Sequence, residues 1–134
     1  MARYVIDAPT LLHLVDNGLC IDAGHQLVAP TSIRSEALQL LLCDVRRGAR
    51  AEKAALQTHE RITRLKMRLL GDRVSRAVAW RIAREQDWDT LHDAEYLAVT
   101  RLQADALVTV EPALAAKARE LVPVAPLEAL LTGG

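Results

Sequence analysis

The sequence predicts an α/β domain with a short parallel sheet flanked by helices, and two observations support that prediction. Short apolar runs alternate along the chain with longer stretches whose apolar residues recur at helical spacing. Apolar residues make up 51% of the chain and phenylalanine is absent, which indicates an aliphatic core of helices packed on a small sheet. Because strands alternate with helices, we expect right-handed crossovers and parallel strands.

Four apolar runs are predicted to be strands, namely 4–6, 27–29, 106–110 and 122–124. The first stops at Asp7 and the second at Pro30, as expected for short strands buried in a sheet. The third is the clearest of the four, because five consecutive residues combine apolar and β-branched character. The fourth contains Pro123, which cannot donate a ladder hydrogen bond and therefore favours an edge position.

The stretches between these strands are predicted to be helices, in the order 8–16, 33–47, 49–70, 74–83, 91–103 and 112–121, with a final helical turn at 126–131. Pro9 is tolerated in the first turn of the first helix, and Gly18 and Gly48 follow the ends of the first two. Leu40 belongs to the apolar stripe of the second helix, and Leu102 is expected to point inward from the fifth. Since the chain has 134 residues and no repeat or linker, residues 1–134 are predicted to form a single domain.

Two cysteines, Cys20 and Cys43, are too few for a disulfide framework, so we interpret them as reduced and buried. The first residues lack the long apolar run of a signal peptide, and no run of about 18 apolar residues could span a membrane. The sequence therefore predicts a cytoplasmic protein with no membrane segment.

The zero net charge hides a division of charge along the chain. Residues 46–86 hold twelve lysines and arginines against four acids, a net charge of +8, which leaves −8 for the remainder. Such a division favours a basic face for a polyanion beside an acidic site. The ordinary alternative is a pair of solvated helices that use arginine, and the count alone does not separate the two.

Four acids stand where a parallel sheet gathers ligands, at the carboxyl ends of strands or in the helix turns that follow. Asp7 and Glu111 directly follow predicted strands, whereas Glu36 and Asp93 lie early in predicted helices. Each has a structural alternative. Asp7 and Glu111 could cap helices, Glu36 could be solvated or form a capping box, and Asp93 could only complement a helix dipole.

Taken together, the four acids predict a site for a hard cation. Three or four carboxylates brought together would repel one another unless they held cations or had raised pKa values. Oxygen ligands in that number suit Mg²⁺ or Mn²⁺. The four histidines show no paired metal spacing and there is no cysteine cluster, so the sequence excludes a zinc site; His92, beside Asp93, is interpreted as a surface or supporting residue.

The order and spacing of four segments resemble the PIN-domain family, and in particular the VapC-type toxins. The segments are 4–8 (YVIDA), 35–38 (SEAL), 92–98 (HDAEYLA) and 107–111 (LVTVE), and the resemblance extends over nearly the whole chain. It implies a three-layer, Rossmann-like α/β/α fold in which Asp7, Glu36 and Asp93 match the metal-binding acids. Glu111 falls where the family usually has aspartate, and Pro9 and Thr10 replace a small polar residue often found after the first aspartate.

The resemblance implies a Mg²⁺- or Mn²⁺-dependent endoribonuclease, the toxin of a toxin–antitoxin pair, with a cognate antitoxin and a homodimeric state. The basic segment would hold the RNA backbone. Trp80 and Trp88 are interpreted as core or interface anchors, with base stacking as the alternative. Thr109 is interpreted as a strand residue that could instead donate to a carboxylate.

Three other classes of protein are alternatives to this interpretation. A receiver-like domain needs an acidic pair after the first strand, and a haloacid-dehalogenase-type phosphatase needs an acid where Pro9 stands. Neither requirement is met. A degenerate PIN module that binds RNA or protein without catalysis remains the alternative, because Glu111 departs from the family pattern.

Overall fold

The computed structural model describes residues 2–131 of the chain. Within that range the strands are β1 (Ala2–Ile6), β2 (His25–Pro30), β3 (Arg68–Leu70) and β4 (Ala106–Val108). The helices are α1 (Ala8–Asp16), α2 (Ile33–Arg46), α3 (Glu52–Arg64), α4 (Arg73–Gln86), α5 (His92–Gln103) and α6 (Pro112–Ala118), followed by a 3-10 turn at Leu127–Leu130.

The strands form one parallel sheet in the order β3-β2-β1-β4. In the register of the sheet, Tyr4 of β1 lies opposite Leu27 of β2 and Ala106 of β4, and Pro30 of β2 lies opposite Leu70 of β3. All four carboxyl ends therefore meet at one edge. The predicted α/β class with a parallel sheet is confirmed.

Helices cover the sheet and give a three-layer α/β/α, Rossmann-like architecture. Helix α5 contacts β1, β2 and β4 and carries α4 on its outer side, while α1, α2 and α3 pack on one another as a second group. Val5, Val28 and Leu107, from the three strands β1, β2 and β4, are completely buried. That burial is expected when both faces of a parallel sheet are covered.

Most predicted helices are confirmed, and the first two end just before the glycines that the sequence indicated. Asn17 and Arg47 are the C-terminal caps of α1 and α2, and Gly18 and Gly48 come next with φ of 58° and 76°. Such left-handed conformations are readily adopted by glycine, which explains why both helices end there.

The helix predicted over 49–70 is wrong at its C-terminal end, where the chain forms strand β3. Helix α3 ends at Arg64, and Arg68–Leu70 pairs with β2 at the edge of the sheet. A three-residue strand is too short to show a period of two, and Leu65 and Leu69 happen to stand at helical spacing. The sequence pattern therefore favoured a helix that the chain does not form.

The last two predicted strands are shorter than expected. Strand β4 ends at Val108 rather than residue 110, and the segment 122–124 contributes only an isolated bridge between Val124 and Leu107. Pro123 accepts a hydrogen bond from the Leu107 amide but has no amide to donate. This missing donor explains why pairing does not extend.

Several residues predicted to be buried lie at the surface. Leu40 and Leu102 are more than a third exposed, because the buried positions of α2 and α5 leave them at the border of the apolar stripe. Cys20 and Cys43 are free thiols, as predicted, but both are exposed, so the predicted burial is wrong. In the described part of the chain, no helix has the length and apolar character needed to cross a membrane.

Candidate functional site

Asp7 lies at the carboxyl end of β1, where the chain turns into α1. Its carboxylate is buried, and Oδ1 accepts hydrogen bonds from the amide and hydroxyl of Thr10, so Asp7 does cap α1. Oδ2 accepts a hydrogen bond from the Thr109 hydroxyl at 2.7 Å. Thr109 therefore donates to a carboxylate, contrary to its interpretation as a plain strand residue. These donors compensate for the loss of hydration of a buried carboxylate.

The same two threonines fix the segment that follows β4. The Thr10 hydroxyl accepts the amide of Val110 at 3.0 Å, and the Thr109 hydroxyl accepts the amide of Glu111 at 3.0 Å. Asp7 is thus tied through hydroxyl groups to the end of β4, more than a hundred residues away in sequence. The predicted meeting of the two strand ends is confirmed.

Glu36 lies in the first turn of α2, beyond the carboxyl end of β2. It accepts hydrogen bonds from the Tyr96 hydroxyl and from Ser32 Oγ at 3.2 Å, and Nε2 of His92 lies 3.2 Å from its Oε1. Ser32 makes no capping bond to the helix backbone, so the alternative of a capping box is not realised. Glu36 points toward α5 and is only partly exposed.

Asp93 lies in the first turn of α5. Its Oδ2 accepts a hydrogen bond from Lys117 Nζ at 2.9 Å, and its Oδ1 lies 3.2 Å from Nδ1 of His92. Burial tends to raise the pKa of Asp93, but the Lys117 ammonium and His92 outweigh burial and hold the pKa below its usual value of 3.8. Asp93 therefore has specific cationic neighbours beyond a helix dipole.

His92 stands between two of the carboxylates. Its ring nitrogens lie 3.2 Å from Glu36 and 3.2 Å from Asp93, and bonding to both requires a proton on each nitrogen. The ring is more than half exposed, which agrees with its interpretation as a surface residue that supports the site.

Tyr96 connects the site from within the core, and sequence reasoning gave it no role. Its side chain is completely buried, and its hydroxyl donates a hydrogen bond to Glu36. The centres of the Tyr96 and His92 rings lie 5.6 Å apart. Burial raises the pKa of Tyr96, and the negative charges of Glu36 and Asp7 raise it further. Tyr96 therefore holds Glu36 from within the core, next to the His92 ring that lies beside Asp93.

Glu111 has the fewest side-chain contacts of the four predicted acids in the described residues. It is the residue before α6, but its side chain makes no capping bond, so the cap alternative is wrong. Within residues 2–131 its carboxylate forms neither a hydrogen bond nor an ion pair, and it is exposed. The structure brings Glu36 and Asp93 together on the His92 ring, holds Asp7 separately through Thr10 and Thr109, and leaves the Glu111 side chain without a bonded partner in the described residues.

The donor atoms suit a hard divalent cation, although they are not arranged as a ready-made site. Between residues 2 and 131 no group of three or more histidine, cysteine, aspartate or glutamate side chains is positioned to hold a metal ion. The carboxylates of Glu36 and Asp93 instead converge on the His92 ring, which stands where a positive charge would serve both. Carboxylate oxygens are the ligands that Mg²⁺ and Mn²⁺ prefer, so the chemistry of the donors fits these ions.

Lys117 and Trp88 complete the surroundings of Asp93, and the sequence gave no signal for Lys117. Its ammonium lies 5.2 Å from the centre of the Trp88 ring as well as beside Asp93. Trp88 is half-buried and packs against the core, as predicted. A signal for Tyr96 was present, since it follows Asp93 by three positions and so shares its helix face.

The predicted basic segment divides into two parts in the structure. Arg47, Arg50 and Arg64 each form an ion pair with an acid on a neighbouring turn or helix. The arginines of α4 make no ion pair within the described residues; they are Arg73, Arg76, Arg81 and Arg84. Other basic residues of the segment form no ion pair in the described residues either, but they are spread over α2, α3 and the chain up to β3, whereas four arginines share the single helix α4.

Comparison with known proteins shows the fold and nothing finer. No family model matches the sequence, and no curated protein matches it. Among solved structures, the chain is similar to the crystal structure of PAE2754 from Pyrobaculum aerophilum, with a TM-score of 0.71 and 22% sequence identity. The match covers 96% of this chain and 92% of that chain. The likeness extends over the whole domain and supports the three-layer architecture described above.

Proposed function

We propose that the chain is a Mg²⁺- or Mn²⁺-dependent endoribonuclease that acts through Asp7, Glu36 and Asp93. The observation that carries the proposal is the position of the three acids in the fold. Asp7 follows the carboxyl end of β1, Glu36 lies in the first turn of the helix after β2, and Asp93 lies across the His92 ring from Glu36. Carboxylates where parallel strands end are suited to binding a divalent cation, and the sequence resemblance assigns the same three residues to that role.

Each of these side chains has a defined task in the proposed reaction. Asp7, Glu36 and Asp93 would hold the ion, which when bound neutralises charge at the scissile phosphate and makes water a better nucleophile. Thr10 and Thr109 orient the Asp7 carboxylate, and Tyr96 orients Glu36. Water forms the new bond to phosphorus, the bond to one ribose oxygen breaks, and that oxygen takes up a proton. Glu111 would complete the ligand set from the rim.

The biological setting is proposed from the sequence resemblance. We infer a cytoplasmic toxin of a toxin–antitoxin pair, which acts as a homodimer and is silenced by a cognate antitoxin. Expression of the intact chain in a bacterial host should arrest growth, and expression of Asp7→Asn should not. Equal toxicity of the two would separate any effect on growth from the carboxylate site.

Cleavage by the purified protein tests the enzymatic proposal directly. Labelled single-stranded RNA should be cleaved with Mg²⁺ or Mn²⁺ and left intact with a chelator. Asp7→Asn and Glu36→Gln should abolish cleavage, whereas Glu60→Gln, an exposed substitution on α3, should leave it unchanged. Circular dichroism confirms that each variant is folded. Equal cleavage by Asp7→Asn and the unaltered chain would overturn the proposal.

A non-catalytic module that binds RNA is the second candidate. Two observations favour it: the Glu111 side chain makes no hydrogen bond or ion pair within residues 2–131, and His92 and Lys117 already contact the carboxylate oxygens of Glu36 and Asp93. Titration of the purified chain with Mn²⁺, followed by calorimetry, distinguishes the two. The nuclease should bind Mn²⁺ and lose that binding in Asp7→Asn, whereas the module should bind RNA with no dependence on Mn²⁺.

A further inference from the structure

Helix α4 presents a tryptophan to solvent, although we interpreted Trp80 as a core or interface anchor. Its relative exposure is 62%, the largest among the exposed large hydrophobic residues of the described chain, and the core interpretation is therefore wrong. The opposite side of the helix packs on α5 through Ser75, Ala79, Ile82 and Ala83. Trp80 has no structural task on the side where it lies.

Arginines surround Trp80 on the same face of α4. At 100° per residue, Arg76, Arg73 and Arg84 fall within about 40° of Trp80 around the helix axis, and Arg81 lies at the border of the face. Arg76 and Arg84 stand one turn before and one turn after Trp80, at the spacing that brings side chains together. The exposed face of α4 is therefore an aromatic ring set among guanidinium groups.

These arginines are free to bind an external anion. Within residues 2–131 none of the four forms an ion pair; Arg76 donates to the backbone carbonyl of Gly71, and the others make no side-chain hydrogen bond. In the preceding segment, by contrast, Arg47, Arg50 and Arg64 are bonded to acids on their own or adjacent helices. Four arginines on one helix, against Glu85 in its last turn and Asp72 at its N-terminal cap, give the α4 face a net positive charge.

The α4 face adjoins the candidate carboxylate site. Arg76 lines a small cavity with Thr31, Ser32, Gly71 and Glu95, at the carboxyl ends of β2 and β3. Ser32 in turn donates to Glu36. The cavity and Ser32 therefore connect Arg76 of α4 with the surroundings of Glu36.

We propose that the exposed face of α4 binds single-stranded RNA, with an unpaired base stacked on Trp80 and the flanking phosphates held by Arg73, Arg76, Arg81 and Arg84. The proposal rests on the proposed function, since it assigns the substrate strand a path toward Glu36 and Asp7. Aromatic stacking on single-stranded bases combined with arginine contacts to the backbone is a general mode of binding. A duplex keeps its bases stacked on one another, so Trp80 gives the surface a preference for single strands.

Charge selects RNA over a second copy of this chain as the occupant. A symmetric dimer through α4 would set the same arginines against each other, and like charges at an interface are unfavourable. An acidic protein segment would satisfy the arginines but leaves the flat, exposed ring of Trp80 without a specific partner. The base and phosphate of a nucleotide satisfy both kinds of side chain at once.

Binding is measured on the full chain carrying Asp7→Asn, so that cleavage does not intervene. The probe is a fluorescein-labelled single-stranded oligoribonucleotide of mixed sequence, followed by anisotropy, with the same strand annealed to its complement as the comparison. Adding Trp80→Ala should weaken single-strand binding about fivefold to a hundredfold. Trp80→Phe, which keeps an aromatic face, should restore most of the affinity, and duplex binding should change little.

The arginines are tested with a matched pair of substitutions in the same background. Arg84→Gln should weaken binding and reduce the slope of log affinity against log salt by about 0.7, the value for one phosphate contact in a single strand. Arg64→Gln removes the same charge from α3, where the arginine is paired with Glu60, and should leave the slope unchanged.

Three outcomes would overturn the proposal. They are equal single-strand affinity with and without Trp80, a loss of dimer mass in Trp80→Ala by sedimentation with unchanged RNA affinity, and binding of an oligoglutamate peptide in place of RNA. Failure of the proposed nuclease would appear differently, as intact RNA binding at α4 without metal-dependent cleavage. Because Trp80 is exposed, its replacement should leave the melting temperature unchanged, which circular dichroism verifies.

Discussion

The Asp7 carboxylate shows how single side chains determine the candidate site. Burial of a charged group is unfavourable unless hydrogen bonds replace its hydration. Thr10 and Thr109 donate their hydroxyl protons to the two oxygens of Asp7 and accept the amides of Val110 and Glu111. The threonines thus stabilise the charge and position the end of β4 with the same two oxygen atoms.

Replacing Thr109 by valine tests this arrangement. Valine keeps the shape of the side chain but removes the donor to Asp7, so we expect the free energy of unfolding to fall by about 1–3 kcal/mol. Urea denaturation measures the change. Thr63→Val is the matched control, because the Thr63 hydroxyl donates only to the His59 carbonyl of its own exposed helix. If the two variants were equally stable, the Thr109 hydroxyl would not be compensating the Asp7 charge.

Some residues of the candidate site could be predicted from the sequence and others could not. Asp7, Glu36 and Asp93 were predicted because their positions follow from where strands end and helices begin. Tyr96 and Lys117 were not predicted. The spacing from Asp93 indicates the helix face of Tyr96, but not its partner Glu36, which is 60 positions away, and Lys117 is 24 positions from Asp93. Contacts over such separations are set by the packing of whole elements.

At the scale of the elements, Arg50 joins three helices through hydrogen bonds. From the connection between α2 and α3, its guanidinium donates to Asp16 at the end of α1, to Asp44 on α2 and to Thr58 on α3. The hydrogen bond and positive charge of Arg50 outweigh partial burial and hold the pKa of Asp16 below its usual value of 3.8. One side chain therefore joins the three helices of one layer.

Arg50→Gln should weaken that layer in a pH-dependent way. At neutral pH we expect the free energy of unfolding to fall by about 1 kcal/mol, since the ion pairs are partly exposed to solvent. The folded pKa of Asp16 lies below the unfolded value of 3.8, so this stabilisation is present above pH 3.8 and lost as the pH falls through the folded value. Urea denaturation over a pH series should show the difference from the unaltered chain shrinking in acid. Arg64→Gln, which removes an exposed ion pair on α3, is the control. This role of Arg50 would be contradicted if Arg50→Gln lowered the free energy of unfolding no more than Arg64→Gln does at neutral pH. It would also be contradicted if the loss persisted below the folded pKa of Asp16.

Element length explains which parts of the fold were predictable. Helix α5 has twelve residues and is buried on most sides, and its bounds were predicted within one residue. Strand β3 has three residues, the first of them Arg68, and lies at the sheet edge, so its identity depends on pairing with β2 rather than on its own pattern. The alternation of strands and helices was enough for the class and the parallel sheet, but not for the edge.

At the scale of the whole molecule, charge is separated rather than absent. The chain has a formal net charge of zero, yet the basic segment 46–86 and the acids of the remainder differ by sixteen charges. In the structure, ion pairs neutralise Arg47, Arg50 and Arg64, while the four arginines of α4 form none within residues 2–131. A polyanion should therefore respond to where the arginines lie, and less to how many there are.

Retention on a heparin column at neutral pH measures that response without RNA. We expect the neutral chain to bind at low salt and the double variant Arg81→Gln/Arg84→Gln to elute at clearly lower salt. Arg47→Gln/Arg64→Gln removes the same net charge but also frees Glu60 and leaves Asp44 with Arg50 as its remaining partner, and it should elute close to the unaltered chain or only slightly earlier. Since the two double variants have equal net charge, any difference in elution reports the position of the charges. Equal shifts for both would mean that the polyanion senses net charge alone, and α4 would then hold no special place on the surface.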